Sequence, residues 1–285
     1  MSRPSVLLDI PIRFDVGDTV IHAPMIDAQV AGLATRLILD TGSTDHVLTI
    51  ELARAAGLRH VPGEPGTDHA GSSVESWVVG DVAVDIAGVS FALRDAVAIA
   101  GPAPFEGWGV GGFLSPQHLH PAATVVIDLV TDRLLLLDVE HEGSDPDLWL
   151  RARAPNLTLL ELIRDATEPT PVVPASVEPF GPVMAMLDTG GRGTEVAAAA
   201  VPGLMGTATP DSGKGVGGDP VTGSVIESRV LLVGGARLPI RRLLVRPEIG
   251  SMLGLIGMDV LRGTVLMVSA DRHRPIWWLV PDARP

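Results

Sequence analysis

The chain has 285 residues, 46% of them hydrophobic and 19% charged. That composition excludes a disordered polymer and suffices for one large domain or two ordinary ones. A formal net charge of −13 repels phosphate backbones, so no nucleic-acid partner is expected; the absence of cysteine excludes disulfides, zinc–thiolate sites and cysteine nucleophiles.

Several further exclusions follow. No apolar stretch is long enough to span a bilayer, so no membrane partner is expected. The first ten residues lack an apolar core and a small-residue cleavage site, so a cytoplasmic location is expected and the sequon Asn156-Leu157-Thr158 is read as unused. A single lysine, Lys214, against 20 arginines reads as genome composition.

The 32 Gly and 24 Pro follow no fixed period and punctuate short apolar runs, which is how an all-β chain with many turns reads. In chain order, the stretch before Pro24 is too short for a usual pro-segment and predicts a first strand. A second follows at Pro24–Val30, and the run Leu37-Ile38-Leu39 leads into Asp40-Thr41-Gly42-Ser43. A short helix is predicted within Leu48–Ala56, then a hairpin around His69-Ala70-Gly71-Ser72-Ser73 ahead of a strand at Val78. Val110–Leu114 precedes a short helix after Pro116. Thr124–Asp128 passes through the turn Thr131-Asp132 into another strand. The clearest helical pattern is Leu157–Ala166, followed by the stiff segment Glu168-Pro169-Thr170-Pro171. Beyond it come Ala185-Met186-Leu187, then Asp188-Thr189-Gly190-Gly191, a second hairpin near Gly213–Gly218, and a short helix after Met258. The organisation read from this is a first lobe over 1–145, a linker with a short helix over 146–170, and a second lobe over 171–285.

The chain repeats itself once. The two Asp-Thr-Gly triplets lie 148 positions apart, each after an apolar run. Upstream, Pro24–Val30 matches Pro171–Val177. Downstream, Val110-Gly111-Gly112-Phe113-Leu114 is paired with Leu255-Ile256-Gly257-Met258-Asp259, placing Gly112 and Gly257 72 and 69 residues after their aspartates. Thr124–Asp128 parallels Thr264–Val268.

An apolar strand that ends in Asp-Thr-Gly delivers a carboxylate to a tight turn. Gly42 and Gly190 permit close approach that a Cβ would block. Thr41 and Thr189 offer hydroxyls able to lock two such loops about a two-fold axis. Two carboxylates then lie close enough to share a proton, since like charges at that range cannot both ionise. One acts as base on a water and the other, protonated, as acid. Ser43 is expected to bond the outer oxygen of Asp40. Gly191 offers Asp188 no hydroxyl, so Asp188 is expected to be the more readily protonated, with Thr194 or a water as its substitute donor.

On these motifs the chain resembles the aspartic proteases of the pepsin and retropepsin clan, over about residues 20–280. The resemblance implies an all-β fold of two pseudo-symmetric acid-protease lobes, closed or partly open β-barrels with a few short helices and a cleft between. It implies an aspartic endopeptidase with Asp40 and Asp188 catalytic. Thr41, Gly42, Ser43, Thr189, Gly190 and Gly191 would support the loops, and Gly112 and Gly257 would be the glycines beside which the Asp loops thread. A substrate-binding flap is implied at His69, Ala70, Gly71 and Ser72. The family needs no metal or organic cofactor. With both lobes in one chain, a monomer acting on a peptide or protein is implied. Pepsin-like enzymes carry a flap tyrosine and this chain has no Tyr. Together with Gly191, that leaves open a second reading, an inactive module of the same fold that binds peptides or assembles.

Other features take bland readings. Asp211-Ser212-Gly213 lacks a preceding apolar strand and reads as a turn. Gly-Lys-Gly at 213–215 reads as a hairpin tip, since it lacks the ending of a phosphate loop. His118-Leu119-His120 has no third ligand nearby and reads as structural. Trp277-Trp278 reads as core or lobe-interface packing.

Overall fold

The computed structural model describes residues 5–16, 19–68, 71–102, 104–121, 123–138, 146–204, 209–214, 220–247, 249 and 253–281. Among these, strands form an eight-, a seven- and a six-stranded sheet and a two-stranded ribbon, with short helices between. No helix among them is long and apolar enough to cross a membrane.

The eight-stranded sheet lies wholly in the first half of the chain and the seven-stranded sheet wholly in the second. Each contains the same knot of strands. In the first half, Leu33–Leu39 and Val47–Thr49 flank Val110–Leu114, which pairs parallel with the former and antiparallel with the latter. In the second, Val183–Leu187 and Glu195–Ala197 flank Gly254–Ile256 with the same two orientations. Each aspartate therefore sits in a loop whose two strands are held apart by a third. The apolar residues alternate inward: Leu37, Leu39, Leu48, Leu187, Val196 and Ile256 are buried in one continuous core.

The six-stranded sheet is shared. Ser5–Pro11, Arg133–Asp138 and Ala123–Asp128 come from the first half, and Val265–Ser269, Ile276–Pro281 and Leu157–Leu162 follow in space. Ala123–Asp128 pairs antiparallel with Val265–Ser269, with Thr124 opposite Ser269 and Asp128 opposite Val265. One face of this sheet joins the main core. The other forms a separate cluster including Val126, Leu135, Met267 and Leu279, against which Leu150 of the helix Pro146–Arg153 packs. Arg153 Nε donates to the buried carboxylate of Asp128 at 2.7 Å, tying this helix to the sheet. Trp278 is fully buried and donates through Nε1 to Thr264 Oγ1 at 2.8 Å, so this tryptophan is core packing as read.

The expected first strand is present as Ser5–Pro11, and short helices stand at Ile50–Ala55, Pro116–His118 and Met258–Leu261. The helix expected over Leu157–Ala166 is not. Leu157–Leu162 is a strand whose register puts Leu160 opposite Trp278 and Leu162 opposite Ile276. Burying Leu160 and Leu162 while completing a sheet edge outweighs a weak helix preference. A helix stands earlier, at Pro146–Arg153. Asp211-Ser212-Gly213 is likewise no turn: it lies within the strand Thr209–Lys214, paired with Pro220–Val233. The hairpin tip expected near 215–218 falls outside the described residues.

Candidate active site

Backbone hydrogen bonds set the two aspartates first. Asp40 N donates to Leu114 O at 2.9 Å and Asp188 N donates to Ile256 O at 2.9 Å, so each loop leaves its sheet at the same point. These bonds correct the match between the halves. Leu114 corresponds to Ile256, and Gly112, opposite Leu37, corresponds to Gly254, opposite Ala185. Gly112 and Gly257 are therefore not equivalents. Their similar distances from the aspartates arose because the intervening loops differ in length. Each glycine still has a reason to be one. Gly112 has φ +152, and a Cβ there would overlap the Val47 carbonyl oxygen; a Cβ on Gly257 would overlap the backbone of Gly193.

The threonines brace the loops to each other. Thr41 N donates to Thr189 Oγ1 at 3.1 Å, and Thr189 N donates to Thr41 Oγ1 at 3.0 Å. Thr41 Oγ1 donates onward to Leu187 O at 2.6 Å, and Thr189 Oγ1 to Leu39 O at 2.7 Å. Both threonines are fully buried. The glycines close the pair. A Cβ on Gly42 would lie 2.7 Å from Asp188 Cγ, and one on Gly190 would lie 2.6 Å from Asp40 Cγ. Each carboxylate thus rests against the glycine of the opposite loop, which brings Asp40 and Asp188 together.

The electrostatics follow from this closeness. The carboxyl of Asp40 is pushed well above the ordinary carboxylate range, first by burial, then by the charge of Asp188 and by a hydrogen bond between the two acids; the backbone at Gly42 and Ser43 pulls the other way. Asp40 keeps a partly exposed edge, while Asp188 is only 7% exposed; the surrounding protein still encloses the Asp40 carboxyl enough for burial to dominate. Neither side-chain donor expected from the motifs is in place. The Ser43 hydroxyl does not reach Asp40; it closes a local turn by donating to Asp45 O at 2.7 Å. Thr194 donates instead to Asp259 Oδ1 at 2.8 Å. Gly191 does serve Asp188, through its amide. Asp188 Oδ1 accepts from Gly190 N at 2.8 Å and Gly191 N at 3.0 Å, whereas Asp40 Oδ1 accepts from Gly42 N at 2.9 Å.

Two residues that the motifs did not point to support the first loop. In the second half, Met258 N donates to Gly191 O at 2.9 Å. Its equivalent, Pro116, has no N–H to give. The matching carbonyl, Ser43 O, is instead served by Ser115 Oγ at 2.9 Å and Gln117 Nε2 at 3.2 Å, and Gln117 also donates to Thr41 O. Proline after Leu-Ser was the available signal, but the missing donor becomes visible only beside the second half.

Of the flap residues, His69 and Ala70 lie outside the described residues. Gly71 and Ser72 stand in a hairpin, where Ser72 N donates to Asp68 Oδ1 at 2.9 Å and Gly66–Thr67 pairs with Ser73–Val74. Its base is closed by Val61–Pro62 against Trp77 and Val78. Among the described residues no group of three metal-ligating side chains forms, and His118 lies in a short 3-10 turn.

No protein-family model and no curated protein matches the chain. Among solved structures, it is similar to the aspartic proteinase from Irpex lacteus, with 11% sequence identity, 97% of each chain covered and a TM-score of 0.53. The fold is that of an aspartic proteinase. At this identity the likeness concerns the fold alone, and the chemistry rests on the site's own geometry.

Proposed function

We propose that this protein is an aspartic endopeptidase that hydrolyses peptide bonds through a water activated between Asp40 and Asp188. The observation that supports the reading is the reciprocal threonine brace, which brings the two carboxylates together, an arrangement that favours one proton between them. In this reading Asp40 keeps that proton and Asp188 is the base. Asp188 takes a proton from the water as its oxygen attacks the scissile carbonyl. Asp40 gives its proton to the carbonyl oxygen, forming a gem-diol; as its C–N bond breaks, the proton gained by Asp188 passes to the departing amine and a diol hydroxyl returns a proton to Asp40. Gly71 and Ser72, with His69 and Ala70, would form the tip of a flap that covers an extended peptide. A monomer carries both aspartates, and the reaction calls for no cofactor.

The test is incubation with a denatured protein between about pH 4 and 7, with and without a statine-type transition-state analogue. Cleavage that the analogue blocks and that Asp40→Asn abolishes is the expected result. Binding of the analogue without cleavage at any pH would overturn the proposal in favour of a peptide-binding module.

A further inference from the structure

Six residues after Asp40 stands His46, only 2% exposed, and neither of its ring nitrogens finds a hydrogen-bond partner of ordinary geometry. Its equivalent in the second half is Thr194, which is just as buried but donates to Asp259 Oδ1. His118, which neighbours His46, has an unpartnered buried Nε2, and so do Oε1 of the adjacent Gln117 and Nε of Arg164, which neighbours His118. Gln117 is the residue that holds the Thr41 and Ser43 carbonyls. Arg164 is anchored from the linker, donating to Pro169 O at 2.9 Å and Ser269 O at 3.1 Å. A polar cluster therefore lies behind the Asp40 loop, between the turn Pro116–His118 and the linker.

The charges that face it are unbalanced. After burial, His46 feels a backbone hydrogen bond at His118, which favours its charged form, then the charges of His118 and Asp45. His118 feels Arg272, Arg164 and Asp45, and Arg164 feels Arg272 and Asp271. Asp45 and Asp271 are exposed, and Asp45 already accepts from Thr44 Oγ1 at 2.7 Å, so neither supplies a buried counter-charge. A proton added to His46 would place a cation in a dry site beside His118, which itself faces Arg164.

We propose that His46 and His118 form a proton-operated latch behind the Asp40 loop, neutral and closed near neutral pH, charged and open in acid. The latch confines the working range of the protein to the near-neutral side; for activity this rests on the endopeptidase reading, and for stability it does not. The sign agrees. Burial, more than any neighbour, lowers His46 from 6.5 to about 4, and His118 is lowered for the same first reason. The unfolded chain then binds protons that the folded one refuses, so stability falls as pH drops from about 6.5 to about 4.

The experiment compares thermal unfolding of the wild type, His46→Leu and His46→Thr from pH 7.5 to 4. Because Asp40 contributes in the opposite sense over this window in every variant, the reading is the difference: between pH 7.5 and 4 the wild type should lose roughly 5 °C or more of Tm relative to the variants. Variant and wild-type profiles that superpose would overturn the latch. Flattened profiles with no cleavage at any pH would keep the latch and reject the endopeptidase. Should neither variant fold, NMR titration of the histidine rings in the wild type decides. A His46 midpoint below that of the exposed His273 supports the latch, and one at or above it overturns it.

Discussion

Thr41 and Thr189 each donate a backbone N–H to the other's hydroxyl, and each hydroxyl then donates to the carbonyl just before the other's aspartate. Neither loop can shift without breaking bonds in its partner. Thr41→Val keeps the shape but leaves Thr189 N and Leu187 O unpaired in a dry site. The expected cost is about 2–4 kcal/mol in urea unfolding, with Thr41→Ser recovering most of it.

Asp40→Asn should separate chemistry from stability. Peptide cleavage is expected to fall at least ~100-fold. The folded state holds a proton on Asp40 where the unfolded chain has released it, so stability declines as pH rises above the ordinary carboxylate range. Asparagine removes that decline. The variant should therefore melt higher than the wild type at pH 7, and the gap should close as pH falls toward 4. Equal Tm values at both pH values would contradict a shared proton.

Restoring the residue that follows the first Asp-Thr-Gly to the second loop should harm the site. A Cβ on Gly191 would lie 2.7 Å from Asp188 Oδ2 and 3.0 Å from Leu255 Cδ2. Gly191→Ser is expected to displace the Asp188 carboxylate and lower kcat by ~10-fold or more, with a smaller change in KM. A gain in kcat would show that the glycine is a deficit.

Glu195 and Arg246 form a buried bidentate pair, with Nε to Oε2 at 3.1 Å and Nη2 to Oε1 at 3.2 Å. Removing one partner by Glu195→Val should cost about 3–5 kcal/mol, because the guanidinium loses its buried carboxylate. The equivalent positions in the first half are the apolar Val47 and Ile99. The double variant Glu195→Val/Arg246→Ile should accordingly recover most of the single-variant loss in urea unfolding.

The dyad was legible because it is written in contiguous residues: an apolar run, an acid, a hydroxyl and a glycine, twice. What remained hidden depends on partners far along the chain. Leu157–Leu162 has the composition of a helix and becomes a strand because Trp278 and Ile276 stand opposite it. The Ser43 hydroxyl was read toward Asp40, yet its nearest acceptor is the Asp45 carbonyl two residues on. Gly112 and Gly257 matched by counting, while the true equivalents are set by which carbonyl receives the aspartate's amide. His46 carried no signal at all, since a lone histidine in sequence does not announce that it is dry.

The pairing of Ala123–Asp128 with Val265–Ser269 is itself nearly two-fold. Val125 lies opposite Val268 and Asp128 opposite Val265, so each contact recurs with the halves exchanged. This is the pattern of a self-complementary interface between identical subunits, here made within a single chain. Neither half can finish its own sheet. Cut apart, each would present a long, apolar, unpaired edge, which is a template for aggregation unless a matching half arrives to cover it. The duplication thus fixes more than the count of carboxylates: it makes the halves obligate partners in folding.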